Sequence, residues 1–234
     1  ILSVLRGDAT AADTSRVIPR KQILLFVSST FTDTHAERNV LQEEILPSLQ
    51  ERARRVGVEV TFVDMRYGVK DANTLDHMTW IACAHQIRSC HEQSGGLFFL
   101  SLQGTKYGYR PVPKYIDAAL VHAKRELDAW TKEQEGLFER WYDLDENSYP
   151  NPVFVLRALQ AIDDAEFWEV AVPALREALD GVVFDHTSAS ASAARIEVGS
   201  SVTEYEARYA LALDSSRCHW LQRRFTGAAL PASE

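Results

Sequence analysis

The stretch QILLFVSSTFTDTHAER (Gln22–Arg38) decides the fold. Gln22–Val27 is a short apolar run with β-branched residues, and it stops at Ser28-Ser29-Thr30. A continuous apolar run bounded by turn residues reads as a strand buried on both faces of a parallel sheet. Helix signals follow at once: Asp33 or Thr34 as cap, Glu37 in the first turn, then an apolar face of Val40, Leu41, Ile45, Leu46 and Leu49. Pro47 is expected to kink or break that helix, because it removes a hydrogen bond and clashes with the preceding turn.

The same alternation continues downstream. Val58–Val63 (VEVTFV) is a second strand, ending in a polar turn at Asp64–Gly68 that carries Arg66 and Tyr67. Trp80, Cys83, Ala84, Ile87 and Cys90 recur at helical spacing. Gly96–Leu102 (GLFFLSL) is a third strand, running into the Gly- and Pro-punctuated loop Gln103–Pro111. A β-α-β-α-β order predicts an α/β fold: a parallel sheet with helices on both faces, joined by right-handed crossovers.

Beyond residue 113 the pattern changes. Lys114–Trp141 reads as charged and helical, Val153–Leu156 as a short strand and Ala165–Leu179 as an amphipathic helix. His186–Ser201 is Ser/Ala-rich and is expected to be mobile. Residues 114–200 are therefore expected to be a mostly helical insertion. The α/β core comprises 21–113 and 201–226, after a flexible lead over 1–20 and before a tail over 227–234. A helix over Thr203–Leu213 and a strand over Cys218–Phe225 complete the core.

The chain has 234 residues, 46% hydrophobic and 25% charged, with a formal net charge of -8. That composition supports a large core and argues against a nucleic-acid-binding surface. Three cysteines, Cys83, Cys90 and Cys218, do not make a disulfide framework; they fit a reducing compartment, and cytoplasmic localisation is expected. No apolar run approaches the roughly 20 residues of a membrane span, and no membrane partner is expected. The chain starts at Ile1, without Met, and a longer parent protein is expected. The Cys and His residues do not follow a zinc-binding spacing; Cys83 and Cys90 sit on the apolar stripe and are expected in the core. No phosphate-binding GxxxxGK[ST] and no GxGxxG is present.

Ligands of open parallel sheets bind outside the carboxyl ends of the strands. Three polar strand ends therefore meet at one edge: Ser28-Ser29-Thr30, Asp64–Gly68 and Gly104–Arg110 with Tyr107 and Tyr109. Each is equally well explained as a capping or turn sequence. The segment SSVTEYE (Ser200–Glu206) is a fourth polar element. Ser201 with Glu204, or Thr203 with Glu206, fits a capping box. Alternatively one of the two glutamates points into the cleft, where a carboxylate holds a ribose hydroxyl or stabilises an oxocarbenium-like centre. Two residues apart on a helix, they lie about 200° apart and are not expected to share one cleft.

Five blocks in order carry a resemblance: VSSTFTDTHAERNVLQEEILPSL, VDMRYGV, LQGTKYGYRPVP, FERWYDLDENSYP and SVTEYEARYAL, together spanning about residues 22–225. They resemble the N-terminal domain of the NACHT and WD repeat domain-containing proteins. All but the fourth also resemble a segment of telomerase-associated protein and of nephrocystin. The family more usually has Trp where this chain has Tyr67. The resemblance implies a three-layer α/β/α fold akin to Toll/interleukin-receptor (TIR) domains and nucleoside deoxyribosyltransferases. It also implies a signalling module at the front of a nucleotide-switched NTPase with repeats, acting through self-association or interaction. The alternative is an effector that cleaves the N-glycosidic bond of NAD. Glu206-Ala-Arg-Tyr-Ala-Leu looks like the Glu-x-x-x-Ala-Leu segment of those relatives, which makes Glu206 the catalytic candidate and Glu204 its rival. By the same resemblance Ser28, Ser29 and Thr30 lie by ribose or phosphates, Asp64, Arg66 and Tyr67 on the loop after the second strand, and Tyr107 and Tyr109 beside a base or the nicotinamide. No cofactor is required on this reading; NAD or a related nucleotide is the expected ligand or substrate.

Overall fold

The structure, a computed structural model, describes residues 21–30, 32–65, 77–127, 130–160, 164–180, 183–184 and 196–224. The expected lead, tail, Arg66, Tyr67 and most of the His186–Ser201 loop lie outside the described residues.

Four parallel strands form the central sheet: β1 (Gln22–Ser28), β2 (Glu59–Asp64), β3 (Phe99–Gln103) and, last in the chain, Cys218–Gln222, in the spatial order β2-β1-β3-last. The chain steps from β1 to one side and then crosses to the other, so the order in which strands are added reverses between β1 and β3. That reversal opens a crevice at their carboxyl ends, beyond Ser28 and Gln103.

Strand parity assigns the two faces. Leu25, Val27, Leu100 and Leu102 point to one side, where they pack with Leu46, Val60 and Phe62. Phe26 and Phe99, stacked at 6.0 Å, point to the other side, under Trp80, Cys83, Ile87, Tyr205 and Tyr209. The first face is covered by the helical run His35–Arg55, the second by the Thr79–Gln93 and Val202–Asp214 helices. This is a three-layer α/β/α arrangement with one layer thinner than the other.

Pro47 does not break the first helix. The run passes from α-helix (His35–Val40) through a wider π-helical turn (Leu41–Ile45) into α-helix Leu46–Arg55, with Pro47 in its first turn. In a regular α-helix the proline ring would meet the carbonyl of Glu43; widening the preceding turn accommodates it. Pro173 shows the same solution, with a π-helical turn over Glu166–Ala171 leading into helix Val172–Ala178.

The stretch expected to be a mostly helical insertion holds more sheet than its charge pattern suggests. Tyr115–Asp117, within the stretch expected to be helical, is a strand, and with Tyr142–Asp145 and Val153–Leu156 it makes a three-stranded antiparallel sheet. Helices Ala118–Glu126 and Lys132–Trp141 pack on it. Phe138 stacks on Tyr142 at 4.6 Å and meets Phe154 edge-on at 5.1 Å. The insertion shares one core with the sheet. The cluster containing Phe26 and Trp80 continues through Phe167, Leu175 and Phe138, and His77 meets Phe167 at 5.0 Å.

Candidate functional site

The site begins with a consequence of parity. Ser28 lies on the Phe26 face of β1, the face covered by helix Val202–Asp214, and it is fully buried. Its hydroxyl donates to the Glu206 carboxylate at 2.6 Å. Glu206 is 6% exposed. Burial raises its pKa above the ordinary carboxylate range, while hydrogen bonds from Ser28 and Cys83 and the charge of Arg38 pull in the opposite direction.

Arg38 is the hub beneath this pair. It is 2% exposed, and its Nε donates to Ser29 Oγ at 2.6 Å. Its Nη2 reaches the Val27 and Ser29 carbonyls at 3.1 and 3.3 Å, and its Nη1 pairs with Asp64 at the end of β2. A buried guanidinium needs this many acceptors to offset its lost hydration. The expected Asp33 or Thr34 cap is not used as a side-chain cap. Thr34 Oγ1 turns instead to Ser29 Oγ, at 2.6 Å, and to the Thr30 carbonyl.

Asp33 clamps the opposite loop. It accepts from the Thr105 and Lys106 amides at 2.8 and 3.0 Å and from the Thr30 hydroxyl, and Arg223 lies at 3.4 Å. Burial opposes its ionisation, yet these bonds outweigh burial and lower its pKa. The loop comes this close because Gly104 has no side chain: a Cβ there would sit 2.1 Å from the Asp33 carboxylate. Gly108, at φ +98°, lies between the two walls, where a Cβ would be 3.0 Å from Thr30 and 3.2 Å from Thr203. The Val202 amide then donates to the Tyr109 carbonyl at 2.9 Å, joining loop to helix.

Between these walls lies a cavity of about 390 Å³, lined by Ser29, Thr30, Thr32, Thr79, Cys83, Lys106, Gly108, Tyr109, Val202, Thr203 and Glu206. Its volume is that of a small-ligand site. Glu204, 26% exposed, turns the other way: it accepts from the Tyr107 hydroxyl and pairs with Arg208. It lines an adjoining cleft of about 280 Å³ with Tyr107. Ser201 caps the helix by accepting from the Glu204 amide at 3.1 Å, but the Glu204 side chain is committed to Tyr107 and Arg208.

The structure therefore brings Ser29, Thr30, Tyr109 and Glu206 to one cavity, with Ser28 buried behind its wall and bonded to Glu206. Glu204 and Tyr107 lie in its neighbour, and Asp64 lies beneath the site as the partner of Arg38. Tyr109 also meets Trp168 of the insertion edge-on at 5.7 Å, so the insertion borders the site. Sequence reasoning gave no site role to Arg38, Asp33, Lys106, Thr79, Thr203 or Cys83. Cys83 was expected in the core, and it is 2% exposed, but it also faces the cavity beside Glu206; burial and that carboxylate push its thiol far up. Lys106 stood in a quoted block, yet nothing local told it from other loop lysines. All three cysteines are free, and among the described residues no cluster of three or more His, Cys, Asp or Glu could hold a metal ion. Among the described residues no helix is long and apolar enough to cross a membrane.

Comparison with known proteins supports the resemblance read from the five blocks. The chain is 30% identical over 145 residues to human NACHT and WD repeat domain-containing protein 2, a match covering 62% of this chain and 8% of that protein. It is 32% identical over 122 residues to mouse NACHT domain- and WD repeat-containing protein 1, covering 52% and 8%. It is 33% identical over 95 residues to rat telomerase protein component 1, covering 41% and 3%. The chain thus spans less than a tenth of the length of these relatives. No family model matches it, and no solved structure matches it.

Proposed function

We propose that this chain is a TIR-like effector module of a larger protein built like the NACHT and WD repeat relatives, and that it hydrolyses the N-glycosidic bond of NAD or a related nucleotide. The observation that carries this reading is Glu206: a buried carboxylate, held by Ser28 at 2.6 Å, on the wall of a ligand-sized cavity where the strand order reverses. A carboxylate so placed favours a ribosyl centre whose positive charge grows as the bond breaks. The bond between ribose C1′ and the ring nitrogen breaks, and its electron pair leaves with nicotinamide, which departs neutral. Water adds to C1′ and loses a proton, leaving ADP-ribose, nicotinamide and one proton. The Ser28 hydroxyl and the Arg38 charge favour the carboxylate form of Glu206 and offset part of the rise that burial imposes on its pKa. Lys106 and the hydroxyls of Thr30, Thr32 and Thr203 suit phosphate and ribose groups.

The test is nicotinamide release from NAD by the chain, dilute and clustered on a multivalent scaffold, alongside Glu206→Gln. Release by the parent and a loss of about 100-fold or more in the variant is the expected result. Absence of release under both conditions, or equal release by the variant, overturns the reading.

Self-association is a second reading, and one feature favours it. Val40, Ile45 and Leu49 stay 38–44% exposed along the outer side of the first helical run, on the thinner face of the sheet. Exposed apolar residues mark a contact surface where they form a contiguous patch. Light scattering across concentrations should show growth in mass that Ile45→Glu abolishes.

A further inference from the structure

We infer that the cleft beside the Glu206 cavity is a second ligand subsite, so that one copy of this chain holds both halves of a dinucleotide. This rests on the reading that the Glu206 cavity takes the reacting ribosyl group.

The two spaces are neighbours with a common wall: Thr30, Lys106 and Thr203 line both. Their volumes, about 280 and 390 Å³, each sit at the low end of small-ligand sites, which run to roughly 1,000 Å³. One space takes a nucleoside; the pair takes two nucleosides joined by a pyrophosphate. Lys106 is the cation common to both linings, on a loop whose amides are pinned by Asp33. A bridging pyrophosphate places its charge on that wall. The second cleft has what a non-reacting nucleoside uses: an apolar floor from Leu102 and Ala207, the Gln103 amide, and the Tyr107 phenol braced by Glu204. The 200° separation of Glu204 and Glu206 on one helix thereby serves two adjoining spaces rather than one.

Calorimetric titration of the 234-residue chain with NAD and with nicotinamide mononucleotide tests this. The parent should bind the dinucleotide about tenfold or more tightly than the mononucleotide. Ala207→Leu, which fills the second cleft, should bring that ratio close to one. Tyr107→Ala does the same from an exposed position and serves if Ala207→Leu misfolds. Equal affinities in the parent, or a preference that survives both substitutions, overturns the inference. If the mononucleotide binds and is cleaved as fast as NAD, the second subsite fails while the glycosidic reading stands. If neither ligand binds, both fail.

Discussion

Glu206 and Arg38 set the behaviour of the site at the scale of single residues. The folded-state pKa of Glu206 lies above its ordinary value of 4.5. Stability linked to its protonation is complete below that value and is lost as pH rises through the folded pKa. Glu206→Gln removes that dependence. Its melting temperature relative to the parent should therefore climb as pH rises above 4.5, even as activity disappears; a difference that stays flat with pH contradicts the buried, raised carboxylate. The parent's activity, which needs the ionised form, should fall on acidification at a pH above the ordinary carboxylate range. Arg38 tests the foundation beneath. Removing one partner of a buried ion pair costs about 3–5 kcal/mol, so Arg38→Met should lower the urea midpoint sharply. The double variant Arg38→Met with Asp64→Leu should recover part of the loss, because the unpaired Asp64 charge is gone.

Among elements, the loop after β3 and the start of the Val202–Asp214 helix decide whether the cavity exists. Gly108 adopts φ +98° between two hydroxyl side chains. Gly108→Ala strains the backbone by about 1–2 kcal/mol and places a methyl group against Thr30 and Thr203. Reduced thermal stability together with weakened ADP-ribose binding is expected, read by melting with and without ligand. Ser201 holds the other side of the same junction through the Glu204 amide. Ser201→Ala should cost about 0.5–2 kcal/mol, measurable by chemical denaturation. The helices that meet Pro47 and Pro173 carry a different lesson: sequence reasoning named the obstacle at Pro47 and its cause, but the response, a π-turn instead of a break, depends on packing that keeps the helix on the sheet.

For the whole molecule, the continuity of the core across sheet and insertion is the governing fact. Phe167, fully buried in the insertion beside His77 and Trp141, belongs to that shared core. Phe167→Ala should cost about 3–5 kcal/mol, and the chain should still melt in one transition by both circular dichroism and fluorescence. Two separate transitions would mean that the insertion folds independently. The alternation of short apolar runs with amphipathic segments was enough to determine a parallel sheet with helices on both faces, because period and strand-end chemistry are local properties of the chain. The Ser28, Ser29 and Thr30 candidates and the Glu204/Glu206 pair were legible for the same reason: strand ends and a helix start announce themselves, though only the resemblance favoured Glu206 of the two. The small antiparallel sheet was not legible, since Tyr115–Asp117 is three residues long within a charged stretch and is held by partners near residue 154. Nor were Arg38, Asp33 and Lys106 legible as site residues, because each draws its role from contacts far away in sequence. Which glutamate meets Ser28 was decided only by the tertiary structure. Strand parity turns Ser28 toward the covering helix, and the rotation of that helix, set by burying Tyr205, Tyr209 and Ala210, leaves Glu206 inward and Glu204 in the neighbouring cleft.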